Sequence, residues 1–275
     1  MGFNSLIVVL AAIAAIAAVP AQATAGTSPL GTAGNFAILS GEGISNTGAT
    51  TINGGDVGIH PGVLTDITGF GTVTGAFTIH AADAVALQAK NDLATGYTTL
   101  AGLAPSNAND YTTFNGGDLT GLTLKAGVYK FSSTALLTGT LTLDFEGDPD
   151  ALFVFQVGSG LTVGVNASVV AINGGSGPGC SVFWQVTSSA MLNTDSTFIG
   201  HIVALTSIQL KTGATLYGSA LARNGAVTLE SNTIANVVCG DVAVVPLPSS
   251  AWMGLGLLSM AWIARRHLAR RPDAA

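Results

Sequence analysis

The densest set of side chains able to hold a metal or move a proton is Asp144, Glu146, Asp148 and Asp150, four acids at alternate positions. This spacing looks like the start of a calcium loop. Pro149 occupies the sixth position, where such a loop needs glycine, and Phe155 the twelfth, where a bidentate glutamate belongs, so an EF-hand is excluded and a solvated turn is expected. His60, His80, His201 and His267 are scattered without metal-ligand spacing, and neither G-x-S-x-G nor H-E-x-x-H occurs. Arg223, within Ala-Arg-Asn-Gly-Ala, reads as a structural corner rather than the base of a lyase. The expectation is therefore no catalytic residue, no metal and no cofactor. What does recur is hydroxyl chemistry. Met191 to Gly200 aligns with Gln209 to Gly218 at an offset of 18, bringing Thr194 onto Thr212 and Thr197 onto Thr215, and Thr228 to Ile234 follows as a third copy.

A period of 18 cannot hold a helical hairpin or a propeller blade. It is the length of one β-helix coil, three short strands joined by tight corners whose apolar positions stack into a continuous core. Earlier segments have the same strand-and-turn texture without so clean a period. Asn53-Gly54-Gly55, Asn115-Gly116-Gly117 and Asn173-Gly174-Gly175 punctuate them, because Asn and Gly tolerate the positive φ of tight corners. One segment differs. From about 81 to 103 the β-branched bias disappears, and Val85, Ala89, Leu93, Tyr97 and Leu100 fall on one face of a helix that Pro105 stops. With no helical neighbour, that stripe must lie along the solenoid.

Two terminal segments flank this domain. Leu6 to Ala18 is an unbroken apolar run followed by Pro20 and overlapping A-x-A sites at Ala21 to Ala25, which predicts a signal peptide over 1–25; a retained anchor is the alternative. At the other end, Val-Pro-Leu-Pro at 245–248 leads into the apolar stretch Ala251 to Ala264 and then Arg265, Arg266, Arg270 and Arg271, the order of a stop-transfer segment with the domain facing outward. The expected location is the cell surface or the extracellular space. Between these ends, 26–244 carries five Lys and Arg against fourteen acids, a net of −9, so nucleic acid is a poor partner. Charged residues are 9% of the chain against about 25% in ordinary domains, which with the abundant glycine favours a compact β-rich domain over disorder. Cys180 and Cys239 have no paired histidines nearby and give no zinc site. In an oxidising compartment they are expected to form one disulfide, closing a loop of about 60 residues and worth on the order of 4 kcal/mol in the chain-entropy model.

Six separated stretches then resemble a known family: Leu30 to Leu39, Asn53 to Gly62 (NGGDVGIHPG), Leu124 to Tyr129 (LKAGVY), Leu143 to Gln156, Cys180 to Val186 (CSVFWQV) and Ala220 to Leu229. Together, in this order, they are similar to the ice-binding-like family of microbial antifreeze proteins. The resemblance implies a mainly β protein, a three-faced β-solenoid with non-sequential coil order, one long helix alongside, and one flat face that adsorbs to ice. The family's loose Thr-Ala/Gly-x-Thr/Asn pattern maps onto Thr47 and Thr50, Thr194 and Thr197, Thr212 and Thr215, and, one residue short, Ser231 and Thr233. Asp195 departs from the pattern at the small position of the second pair. The tail at 245–275 resembles a PEP-CTERM sorting signal with Leu where Glu is commoner, which implies an exosortase-type processing enzyme as a partner. The competing reading keeps the fold but makes the protein a surface or biofilm-matrix solenoid that binds matrix polysaccharide.

Overall fold

The computed structural model describes residues 28–106, 111–112, 115–148, 150–174 and 178–236. The leader over 1–25, the tail over 245–275 and Cys239 lie outside them. The described strands form three parallel sheets of eight, seven and eight strands, each coil giving one strand to each sheet. Sheet 1 contains Phe36–Ser40, Phe153–Val157, Val182–Val186 and His201–Ala204; sheet 2 contains Ile44–Thr47, Ile208–Leu210 and Val227–Glu230; sheet 3 contains Thr51–Asn53, Thr197–Ile199, Thr215–Tyr217 and Thr233–Ala235. This is the expected three-faced solenoid.

Coils are not stacked in the order in which the chain makes them. The first coil lies against the last on all three sheets, with Ile38 opposite Ala220, Asn46 opposite Leu229 and Thr51 opposite Thr233. A second coil extends outward from the first, ending at Ile79–Ala81, and the helix α1 (Ala84–Gly102) then carries the chain back to the far end of the stack. Nineteen helical residues span about 28 Å at 1.5 Å per residue, close to the roughly 33 Å that seven inter-strand steps of sheet 1 require. The remaining coils climb from Gly127–Phe131 until they meet the first.

Burial patterns follow from what covers each face. Sheet 2 and sheet 3 strands alternate, as in Leu161–Val163, while Phe153–Val157 and Val182–Val186 are buried at every position. Sheet 1 is covered on its outer side by α1, so both of its faces need apolar residues. Inside, Tyr129, Phe155 and Trp184 stack at 5.3 and 3.8 Å, and the same column then narrows to Ile202 and Ala220, which gives a wide and a narrow region of one core. Outside, Ala89, Leu93, Tyr97 and Leu100 pack on Leu39, Val154, Phe183, Val203 and Leu221.

The helix face differs from the predicted one at its start. Val85 is 49% exposed, and Ala86 is buried in its place. Steps of four drift off a 3.6-residue turn, so three residues back from Ala89, not four, keeps the stripe on the sheet. Asp83 caps the helix by accepting from the Ala86 N–H at 2.8 Å. At the other end Gln156, reaching out of sheet 1, donates through Nε2 to the carbonyls of Leu100 and Leu103, both at 2.8 Å. Sheet 1 thus satisfies carbonyls that the helix leaves open.

Candidate functional site

With sheet 1 covered, sheets 2 and 3 are the two open faces. On sheet 3 the first outward position of seven consecutive coils carries a hydroxyl: Thr74, Thr51, Thr233, Thr215, Thr197, Ser168 and Thr140, each directly opposite the next. At about 4.8 Å per coil this ladder runs about 29 Å. Neighbouring hydroxyls approach within 3.2 Å at Thr51 and Thr74 and 3.0 Å at Thr140 and Ser168. The β-branch of threonine restricts χ1, so each rung presents a methyl and a hydroxyl in a nearly fixed place. In six of the seven coils the position that follows inward is large, apolar and buried: Ile52, Ile234, Leu216, Phe198, Val169 and Leu141. That packing holds each strand start against the core and leaves the hydroxyl on the surface.

Of the residues anticipated from the sequence, Thr197, Thr215 and Thr233 stand on this ladder, half-exposed. Thr194 and Thr212 stand at the corner before it, between sheets 2 and 3. Thr50 does not reach the surface: it is fully buried, its Oγ1 donating to Asn46 Oδ1 at 2.6 Å and accepting from the Asn232 N–H at 3.0 Å. The rung belongs to Thr51. Thr47 pairs with Glu230 and Thr51 with Thr233, so this corner has three intervening residues where the last coil has two. The same count separates Lys211 from Thr215, which places Gly48-Ala49-Thr50-Thr51, and not Thr47 to Thr50, in register with Thr212 to Thr215. Thr47 is exposed at the end of its sheet 2 strand. Ser231 takes the left-handed corner conformation at φ 51°, and Glu230, not Ser231, occupies the strand end before it. The missing residue of this corner is replaced by the Asn232 side chain, which donates to the carbonyls of Lys211 at 2.7 Å and Ala214 at 3.1 Å.

Thr51, Thr74, Thr140 and Ser168 were not anticipated. The pattern that marks most of them is a hydroxyl residue followed directly by a bulky apolar one after a tight corner, as in Thr51-Ile52 and Thr140-Leu141; Thr74-Gly75 lacks even that. Charges avoid the ladder itself. Lys125 and Asp144 sit at the wide end of sheet 3, and the Lys211–Glu230 pair, at 3.0 Å, sits on the corner with sheet 2, where the Lys211 bond holds the Glu230 carboxyl below its usual range. The second outward column of sheet 3 is uneven, with Tyr217 projecting at 45% exposure. Sheet 2 has its own uncharged middle column, Leu136, Thr162, Met191, Gln209, Thr228, Ser45 and Thr68.

The side chains first suspected of chemistry are engaged elsewhere. Asp144 accepts from the Glu146 N–H and from Asn173, Glu146 pairs with Lys125 at 2.5 Å, and Asp148 accepts from the Asp150 N–H, as in a solvated turn. No group of three or more potential metal ligands converges among the described residues. His201 is fully buried, stacked on Phe183 and bonded through Nδ1 to Ser219 at 2.7 Å, and burial pushes its pKa down to about 4. Cys180 is half-buried just before Val182–Val186, while Cys239 is outside the described residues. Among the described residues no helix is long and apolar enough to cross a membrane.

Comparisons with known proteins agree with this geometry. The family model described as Ice-binding-like matches residues 38–235. An ice-binding protein of Nostoc sp. is 45% identical over 266 residues, covering 94% of this chain and 95% of the relative, and one of Colwellia sp. is 35% identical over 74% of this chain and 82% of its own length. Among solved structures, the ice-binding protein of the Antarctic ascomycete Antarctomyces psychrotrophicus superposes with a TM-score of 0.69 at 39% identity, covering 75% of this chain and 96% of that one. An ice-binding protein from an Antarctic biological consortium superposes at 0.68 with 41% identity, over 79% and 95%. The chain belongs to the ice-binding-like family.

Proposed function

We propose that this protein adsorbs to ice without catalysing a reaction, and that sheet 3 is the face that does so, led by the ladder from Thr74 to Thr140 and flanked by the corner threonines Thr194 and Thr212. The observation that carries this is the unbroken register of seven hydroxyl rungs on an open, uncharged column. A regular array of stiff side chains can hold water in a fixed pattern at little entropic cost, whereas charged groups would impose their own hydration geometry. Sheet 2 is the second reading, favoured by its own charge-free middle column. Tyrosine substitutions separate the two. Thr215→Tyr should abolish most thermal hysteresis and recrystallisation inhibition, and Thr228→Tyr on sheet 2 should not; the reverse result moves the face to sheet 2.

We also propose that the domain is exported, with cleavage after the A-x-A sites and the PEP-CTERM-like tail handled by an exosortase-type enzyme. Support comes from the order of segments in 1–25 and 245–275. On this reading Cys180 and Cys239 form a disulfide in the oxidising compartment. A matrix role with polysaccharide as partner takes precedence only if the purified protein shows no ice activity.

A further inference from the structure

On an acidic chain, two of the described cations without a carboxylate partner lie side by side. The ion pairs among the described residues engage Lys125 and Lys211, but neither Lys90 nor Arg223. Lys90, on α1, reaches across to the solenoid and donates through Nζ to the carbonyls of Ala222, at 2.9 Å, and Arg223. An ammonium has three N–H donors, so one remains. The Arg223 guanidinium lies over the Tyr97 ring, 5.5 Å from its centroid, which fixes its plane and leaves its edge available. Holding the two charges together is unfavourable: burial first, and then the Arg223 charge, lower the Lys90 pKa to about 8.

These cations border a pocket of about 420 Å³ between α1 and the sheet 1–sheet 2 corners of three consecutive coils. Its lining includes the side chains of Asn91 and Asn224, the apolar surfaces of Leu87, Ala94 and Pro61, and no carboxylate. Gly41 also lines it, and a side chain is excluded there because a Cβ would lie 2.6 Å from the Arg223 carbonyl oxygen. The volume falls within the range of about 300 to 1,000 Å³ usual for small-molecule sites. We propose that this pocket binds a uronate sugar: its carboxylate on Arg223 and the free Lys90 donor, its hydroxyls on the two asparagine amides, and its ring's C–H face on Leu87, Ala94 and Pro61. Bare phosphate would use the cations and leave the amides and apolar wall without a partner. The three corners lie at the edge of the solenoid opposite sheet 3, so a molecule held on ice by sheet 3 keeps this pocket open to solution. The site stands on its own geometry and does not depend on which face meets ice.

The test is calorimetric titration of the full chain at low ionic strength with galacturonic acid, tri-galacturonate, neutral galactose and inorganic phosphate. Uronate binding in the millimolar range or tighter is expected, with galactose at least ten-fold weaker. A trimer that binds better than the monomer identifies a glycan chain as the source, and equal affinity a free sugar acid. Arg223→Gln and Asn224→Ala should each weaken uronate at least five-fold. Asn224 is exposed, so its variant is informative even if loss of the Arg223–Tyr97 contact disturbs the fold. No uronate binding, equal binding of galactose, phosphate bound as well as uronate, or unchanged affinity in Asn224→Ala would each overturn the proposal.

Discussion

Leu93 sits at the centre of the seam between α1 and sheet 1, fully buried among Leu30, Leu39, Phe183 and Leu221. Truncating it to alanine removes its methyl groups from a site whose far wall is a rigid parallel sheet, so the cavity cannot close well. Leu→Ala changes in such places cost about 2 to 5 kcal/mol. For a domain of this size each kcal/mol moves the melting temperature by about 2 to 4 °C, so a cost near 3 kcal/mol predicts a drop of about 6 to 12 °C. Leu93→Asp should be worse, because an unpaired carboxylate there must be neutralised or expose the seam. Asn91→Asp, two residues away on the exposed face, should stay within about 0.5 kcal/mol. Calorimetric melting of the three variants measures this directly. A Leu93→Asp shift no larger than that of Asn91→Asp would show that α1 does not cover sheet 1 by this face.

Further expectations concern the ladder, the buried histidine and the termini. Thr215 is the central rung of seven, and a gap of about 1 Å already forfeits up to half of a van der Waals contact, so a protruding Thr215→Tyr ring should also lift its neighbours Thr197 and Thr233, cutting thermal hysteresis several-fold while stability moves by no more than about 0.5 kcal/mol; full activity at unchanged stability would place the ice face elsewhere. The unfolded chain takes up a proton at His201 near pH 6.5 and the folded one only near 4, so this contribution to stability is intact above 6.5 and is lost as pH falls from 6.5 towards 4, by at most about 3 kcal/mol; His201→Phe should flatten that part of the melting-temperature profile, and an unchanged slope would remove His201 as its source. Intact-mass measurement of protein recovered from the cell envelope or medium should give a mass below that of all 275 residues and no free thiol under non-reducing conditions; the full mass or two free thiols would refute export with a Cys180–Cys239 bridge.

Much of the architecture is local and therefore legible in the sequence. The 18-residue recurrence, the Asn-Gly corners and the apolar stripe of α1 each arise within one coil or one helix, where residue spacing alone dictates which side chains share a face. Those signals predicted the solenoid, the helix within three residues at either end, and Thr197, Thr215 and Thr233 as aligned hydroxyls. Where a corner gains or loses one residue, spacing misleads. Side chains alternate with a period of two along a strand, so a reading displaced by one residue names Thr50, which takes the buried corner position that Ala214 takes in the neighbouring full-length corner, in place of Thr51 on the surface. The length of the ladder was decided only by tertiary structure, because Thr51 and Thr233 are 182 positions apart and meet only when the first coil closes on the last. The same closure brings Lys90 to Arg223, 133 residues away, and the stacking of successive coils buries His201 between Phe183 and Ser219, which leaves a titratable ring without water. Chain order carries no trace of those pairings, since they follow from an α1 just long enough to return the chain along the stack.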